Sequence, residues 1–317
     1  MHTDPVTTRA ALAAGMTADQ LRSKRWVSPL RGVHVERAAA SGEGNAPDPC
    51  DLHITVRALV AVTNSHVVVS DRTAAELYEW WLPAPDHPCT HITVAPDAVV
   101  ERPGVRCHRR ILTQSDVREL RGVPITSPAR TLVDLASEFC LIDLVVAMDA
   151  ALHFGHCTMN DLHSSSRTGG WRGVRTFRRA LSLADSRSES PMESLMRLLI
   201  VLSGLPPPIP QAKIFDANGF FVGRGDLKAP GVRAVFEYDG ATHNEPLNHA
   251  KDVTRWRNLR AANCEVFPYT ARELFQSPQQ IVADYQRVLS LPIDPTAIRG
   301  WWIEWRKSEF RRRGYGE

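Results

Sequence analysis

Asp226 and Glu237 flank a turn at Ala229-Pro230-Gly231, and Asp239 follows two residues after the second acid. Two carboxylates on neighbouring strands can share one hard divalent cation. Strand alternation puts Asp226 on one face of its strand and Val235, Glu237 and Asp239 on one face of the next. Closing the hairpin at Pro230-Gly231 sets Asp226 opposite Val235 and diagonal to Glu237, within reach of a common ion. With no cationic partner expected beside them the two acids repel each other, and Mg²⁺, or Mn²⁺ in its place, is the usual remedy. The other reading is two solvent-exposed acids on an edge strand. His243 comes soon after, and a neutral imidazole near pH 7 can serve as general base or protonate a leaving oxygen. A structural His243 bonded to a turn carbonyl is the alternative.

The elements that must position these groups are legible around them. Ser190-Pro191-Met192-Glu193 opens a helix whose apolar positions Met192, Leu195, Met196, Leu199 and Leu202 keep helical spacing and stop at Gly204. Glu193 either completes an S-x-x-E capping box with Ser190 or supports the metal. Pro206-Pro207-Pro208 prevents continuation of the helix. Lys213 to Phe215, the turn Asp216 to Gly219 and Phe220 to Val222 then read as a hairpin closed at Asn-Gly. Asp252 and Arg255 lie one turn apart on a following helix. They either pair across its surface or, with Arg255 directed inward, offer a phosphate contact.

The segments E-S-P-M-E (189 to 193), G-L-P-P-P (204 to 208), G-R-G-D-L (223 to 227), F-E-Y-D-G-A-T-H (236 to 243) and D-V-T-R-W-R-N-L (252 to 259) carry a resemblance. Together they resemble an actinobacterial domain family related to very-short-patch-repair (Vsr-like) endonucleases of the PD-(D/E)XK superfamily. The resemblance implies a mixed sheet flanked by helices and a magnesium-dependent endonuclease, a hydrolase acting on DNA phosphodiesters. It matches Asp226 and Glu237 to the metal-binding acids and Glu193 to the helix acid, and it implies that Asp239, His243, Asp252 and Arg255 line the site. Where the family pattern has lysine two residues after the second acid, this chain has Asp239. Lys228 and Lys251 are candidates for the displaced charge.

Farther towards the amino terminus, Thr7 to Ala14 reads as a short helix ended by Gly15, and Thr17 caps a second helix through Lys24. Trp26-Val27 and Val33-His34-Val35, bent at Gly32, form a small β-wing in this reading. Gln20, Arg22, Lys24 and Arg25 are side chains suited to bases and phosphates, or simply a solvated helix face. Leu12 to Val35, D-R-T-A-A-E-L (71 to 77) and V-P-I-T-S-P-A-R-T-L-V-D-L-A (123 to 136) resemble AbiEi-type antitoxin proteins. That resemblance implies DNA binding, transcriptional autoregulation and a cognate toxin partner, as in type IV toxin-antitoxin systems; Arg130 is read as a cap or bridge.

Composition bounds the rest. A chain of 317 residues, 43% hydrophobic and 23% charged, supports two or three cores. The six scattered cysteines include no C-x-x-C pair, which argues against a zinc site and for reduced thiols. There is no apolar run of about eighteen residues and no signal-peptide stretch, so a cytoplasmic protein without a membrane partner is expected, and no organic cofactor. The expected α/β organisation is a winged helix-turn-helix over 1–36, a linker over 37–51, a mixed α/β then helical middle region over 52–187, a nuclease-like domain over 188–292, and a Trp-rich basic terminal helix over 293–317. Two functions follow: a DNA endonuclease with a DNA-binding module, or a non-catalytic DNA-binding regulator.

Overall fold

The computed structural model describes residues 5–36, 52–63, 66–85, 89–167, 169–240, 255–294, 296–308 and 310, with the backbone alone at 299, 302 and 303. His243, Lys251, Asp252 and Arg311 to Arg313 lie outside the described residues. Two compact units emerge, Met1–Glu79 with Asp86–Asp134, and Trp80–Pro85 with Leu135–Glu317.

In the first unit β1 (Val6–Thr7) precedes α1 (Thr8–Ala13) and α2 (Ala18–Arg22), and β2 (Trp26–Leu30) and β3 (Val33–Glu36) close a three-stranded antiparallel sheet in the order β1-β3-β2. Thr7 and Thr17 cap the two helices, and Gly15 and Gly32 take positive φ at the bends, as their types require. Helix α2 stops at Arg22, two residues short of the expected end, because Ser23 turns to extended backbone and bonds back to the Gln20 carbonyl. Then come α3 (Leu52–Val62), β4 (Val68–Val69), α4 (Asp71–Leu77), β5 (Thr90–Val94), β6 (Val105–Arg109), β7 (Val117–Leu120) and β8 (Val123–Thr126). Their five-stranded mixed sheet runs β6-β5-β4-β8-β7. Strand β5 is buried throughout, and Ile92 and Val94 pack with Leu59, Val67 and Val100. The hairpin β7–β8, turning at Arg121-Gly122 with positive φ at both, is absent from the sequence reading.

Helix α5 (Pro128–Leu135) leads into the second unit, which holds α6 (Leu141–His153), α7 (Met159–Arg167), α8 (Val174–Leu181) and α9 (Pro191–Leu202). Apolar on nearly every side, α6 is buried from Leu141 to Leu152. At its centre the fully buried Asp149 is neutralised by Arg197 of α9 at 2.6 Å and bonded by Ser194 Oγ and the Asp185 amide. After α9 come β9 (Ile209–Phe215), β10 (Phe221–Lys228), β11 (Ala234–Tyr238), α10 (residues 255–261), β12 (Glu265–Tyr269), α11 (Ala271–Gln276), α12 (Pro278–Val288) and α13 (Arg299–Trp305). The sheet runs β12-β11-β10-β9, parallel between β11 and β12 and antiparallel elsewhere. Trp256 and Leu259 of α10 cluster with Ile214 and Val235, while Phe236 packs on Phe267 and on Tyr285 of α12. Trp301 and Trp305 of α13 are buried and stacked at 4.8 Å, which is docking onto the body of the protein. Strand β12 was not read from the sequence.

Candidate functional site

The hairpin register differs from the expected one. Val235 pairs with Lys228 and Phe236 with Leu227, so Asp226 is not opposite Val235. The cause is a longer loop: the Ala229 amide donates to the Ala234 carbonyl and Gly231 turns the chain at φ 74°, so the tight bend at Pro230-Gly231 does not form. Beyond Leu227 the strands exchange side-chain bonds instead. The Asp226 amide donates to Glu237 Oε1 at 3.2 Å, and the Tyr238 amide donates to Asp226 Oδ2 at 2.9 Å. Glycines make this proximity feasible. A Cβ on Gly225 would stand 2.6 Å from Val235 Cγ1 and 3.2 Å from Glu237 Oε1, and one on Gly223 would touch Leu259 of α10 at 3.4 Å.

A second expectation also changes. The two acids are not without a cation, because Arg255 at the start of α10 reaches inward and its guanidinium lies 2.7 Å from Glu237 Oε2. The Trp256 indole N–H reaches the same oxygen at 3.4 Å. Glu237 is fully buried. Burial first and Asp226 second push its carboxyl up to about 7 against the pull of Arg255. Burial likewise raises Asp226. Glu193 is pushed up to about 7 by burial and then by the charge of Asp226, which puts a third acid in the same electrostatic neighbourhood. Half of the capping box is present: Ser190 Oγ accepts the Glu193 amide, but the Glu193 carboxylate takes the Glu189 amide and the Gln211 side chain, at 3.0 and 2.7 Å. Gln211, unflagged by the sequence, sits at φ 52°, a conformation costing a non-glycine residue about 1 kcal/mol or more.

The remaining candidates are dispersed. Asp239 is held by its amide to the Tyr269 carbonyl at 2.8 Å, and Lys228 directs its ammonium to the Ala229 carbonyl at the hairpin end. In the first unit Gln20 is committed to a capping box with Thr17, and Arg22 pairs with Asp19 at 3.0 Å. Arg25 pairs with Glu36 across the β2–β3 hairpin, and Lys24 stands exposed in the turn after α2. Arg130 bridges Asp134 at 3.0 Å and Asp116 at 3.8 Å.

A different cluster went unread. Asp71, His91 and His108 bring one potential ligand atom each to within 4.8 Å of one another, the only such group of three among the described residues. The signal was weak because His91 and His108 are far apart in sequence and meet only through the parallel pairing of β5 with β6.

Against known proteins, the model of the family described as AbiEi antitoxin C-terminal domain matches residues 56–186. That stretch contains D-R-T-A-A-E-L and V-P-I-T-S-P-A-R-T-L-V-D-L-A, two of the three segments that carried the antitoxin resemblance. The chain belongs to the same family as two Mycobacterium tuberculosis proteins, uncharacterized protein MT2308 (strain CDC 1551 / Oshkosh) and uncharacterized protein Rv2248 (strain H37Rv). Each is 30% identical over 247 residues, covering 75% of this chain and 87% of its own length. The crystal structure of the RV2827C protein from Mycobacterium tuberculosis aligns with a TM-score of 0.39 and 17% identity, over 67% of this chain and 83% of that one. No described helix is long and apolar enough to cross a membrane.

Proposed function

We propose that the protein is an antitoxin-like DNA-binding regulator that represses its own promoter and pairs with a cognate toxin. The observation that carries this reading is the match of residues 56–186 to the AbiEi antitoxin C-terminal domain. Ahead of it in the chain come the two capped helices and the β2–β3 hairpin, an arrangement suited to a winged helix-turn-helix. In this proposal the exposed Lys24 and Arg22 meet phosphates, Arg22 by leaving its surface pair with Asp19, and each contributes counterion release rather than sequence preference. A reporter driven by the DNA upstream of the gene should be repressed by the full chain and released when Arg22 and Lys24 are both replaced by glutamate. Full reporter activity with the wild-type chain present would contradict the proposal.

A second reading rests on the buried acids of the second unit. Burial, and after it the charge of Asp226, pushes Glu193 and Glu237 up to about 7, with Arg255 pulling Glu237 the other way. Such oxygen donors fit a hard divalent cation, with Asp226 and Glu237 as the ligands and Glu193 beside them. Bound there, Mg²⁺ or Mn²⁺ would supply the charge neutralisation that phosphodiester hydrolysis requires. In this PD-(D/E)XK-like arrangement the part of this chain's own Arg255 is to keep Glu237 ionised and to meet a phosphate oxygen. Cleavage of supercoiled DNA by purified protein, abolished by Asp226→Ala and by chelator, would establish this reading, and equal cleavage by the mutant would remove it.

A further inference from the structure

We propose that Asp71, His91 and His108 form a binding site for a divalent transition-metal ion such as Zn²⁺, inside the stretch that matches the antitoxin domain. The topology assembles it. Asp71 is the first residue of α4, immediately after β4, with φ at 51°. His91 pairs with Arg106 across the parallel ladder, so His108, two residues on, projects from the same side of the sheet. The two rings stack with centroids 5.3 Å apart, His91 Nδ1 lies 3.1 Å from His108 Nε2, and that nitrogen lies 3.5 Å from Asp71 Oδ2. Two imidazole nitrogens and one carboxylate oxygen converge on one point, the donor set that borderline-soft divalent ions take.

The surroundings suit such a site. Asp71 is 0% exposed and His91 4%, while the His108 side chain keeps 12% of its surface in solvent. The far nitrogen of His91, Nε2, lies 3.2 Å from Cys89 Sγ, which orients the ring without occupying the ligand position. The absence of a C-x-x-C pair, read as evidence against zinc, has no bearing on a histidine–carboxylate site.

Arg110 is the group that must yield. Its guanidinium grips both oxygens of Asp71 at 2.5 and 2.9 Å and approaches His108 Nδ1 at 3.3 Å. A metal on Nε2 fixes the hydrogen of His108 on Nδ1, which then cannot accept from Arg110. Asp134 is in place to take the guanidinium over, its Oδ2 already 3.4 Å from Arg110 Nη1. Binding the ion therefore transfers Arg110 from Asp71 to Asp134.

Titration of the chelator-treated full chain with Zn²⁺ by calorimetry, and with Co²⁺ by visible absorption, tests the proposal. The expected result is one equivalent at this site with cobalt d–d bands. His108→Gln should lower the affinity at least about tenfold, and Cys89→Ser should weaken binding about 10- to 100-fold through ring orientation. Glu237→Gln should leave the cobalt spectrum unchanged, which separates this site from the acids of the second unit. No saturable binding, or cobalt bands that survive His91→Gln and His108→Gln, would overturn it in favour of a purely structural ion pair.

Discussion

Asp71 in the first unit and Glu237 in the second are equally withdrawn from water, both 0% exposed, yet their carboxyls shift in opposite directions. Burial acts to raise Asp71, but the hydrogen bonds and charge of Arg110, with His108 beside it, outweigh burial and hold it below the ordinary carboxylate range. Burial also raises Glu237, and Asp226 adds to it, so the pull of Arg255 leaves it near 7. Burial sets the scale of the shift, and the balance of acids and cations around the carboxyl sets its sign.

The largest test of this contrast is removal of each arginine. Arg110→Ala strands a buried, ionised Asp71 and should cost about 3–5 kcal/mol in urea unfolding. Arg255→Ala should cost distinctly less near neutral pH, because Glu237 can take a proton there. Equal losses would break the comparison.

Next in size is Gly225→Ala. The added methyl would meet Val235 at 2.6 Å and press on Glu237, so a loss of about 1–3 kcal/mol is expected. Gly219→Ala, where φ is 82° but nothing lies within 4 Å, provides the contrast of strain without a clash. A loss at Gly225 no larger than that at Gly219 would mean that β10 can move away from β11.

The pH dependence is smaller and has a definite sign. Glu193 and Glu237 titrate near 7 when folded against 4.5 as reference, so between these values the folded chain holds protons that the unfolded chain has released. Their contribution favours folding at the acid end of that window and disappears as pH rises through 7. Thermal melts in chelator should therefore show the wild type losing ground relative to Glu237→Gln between pH 5 and 8. A constant difference would place the Glu237 carboxyl in the normal range.

Much of the fold was legible because it is local. Thr7, Thr17 and Gly15 announce two short helices, Asp216 to Gly219 announces the β9–β10 turn, and the stripe from Met192 to Leu202 announces α9. What escaped depends on distant pairing. Strand β12 is half-exposed and pairs in parallel with β11 across a long connection, so neither alternation nor a turn signals it. The acids of the second unit were found as a pair because they flank one hairpin, whereas the partner of Glu237 comes from α10 and Gln211 joins through a bend within β9. Asp71, His91 and His108 come from three elements, α4, β5 and β6, and no spacing rule connects them.

The most direct test of the central claim is fluorescence anisotropy of the full chain with the duplex upstream of its gene, over a salt series and without divalent metal. The account predicts saturable binding whose affinity falls steeply with salt, and a shallower salt slope for Lys24→Glu, by roughly one unit in the log–log plot per lost phosphate contact. Affinity and slope unchanged by replacing both Arg22 and Lys24, or no binding at low salt, would contradict the assignment of the amino-terminal segment as the DNA-contacting part of an antitoxin-like regulator.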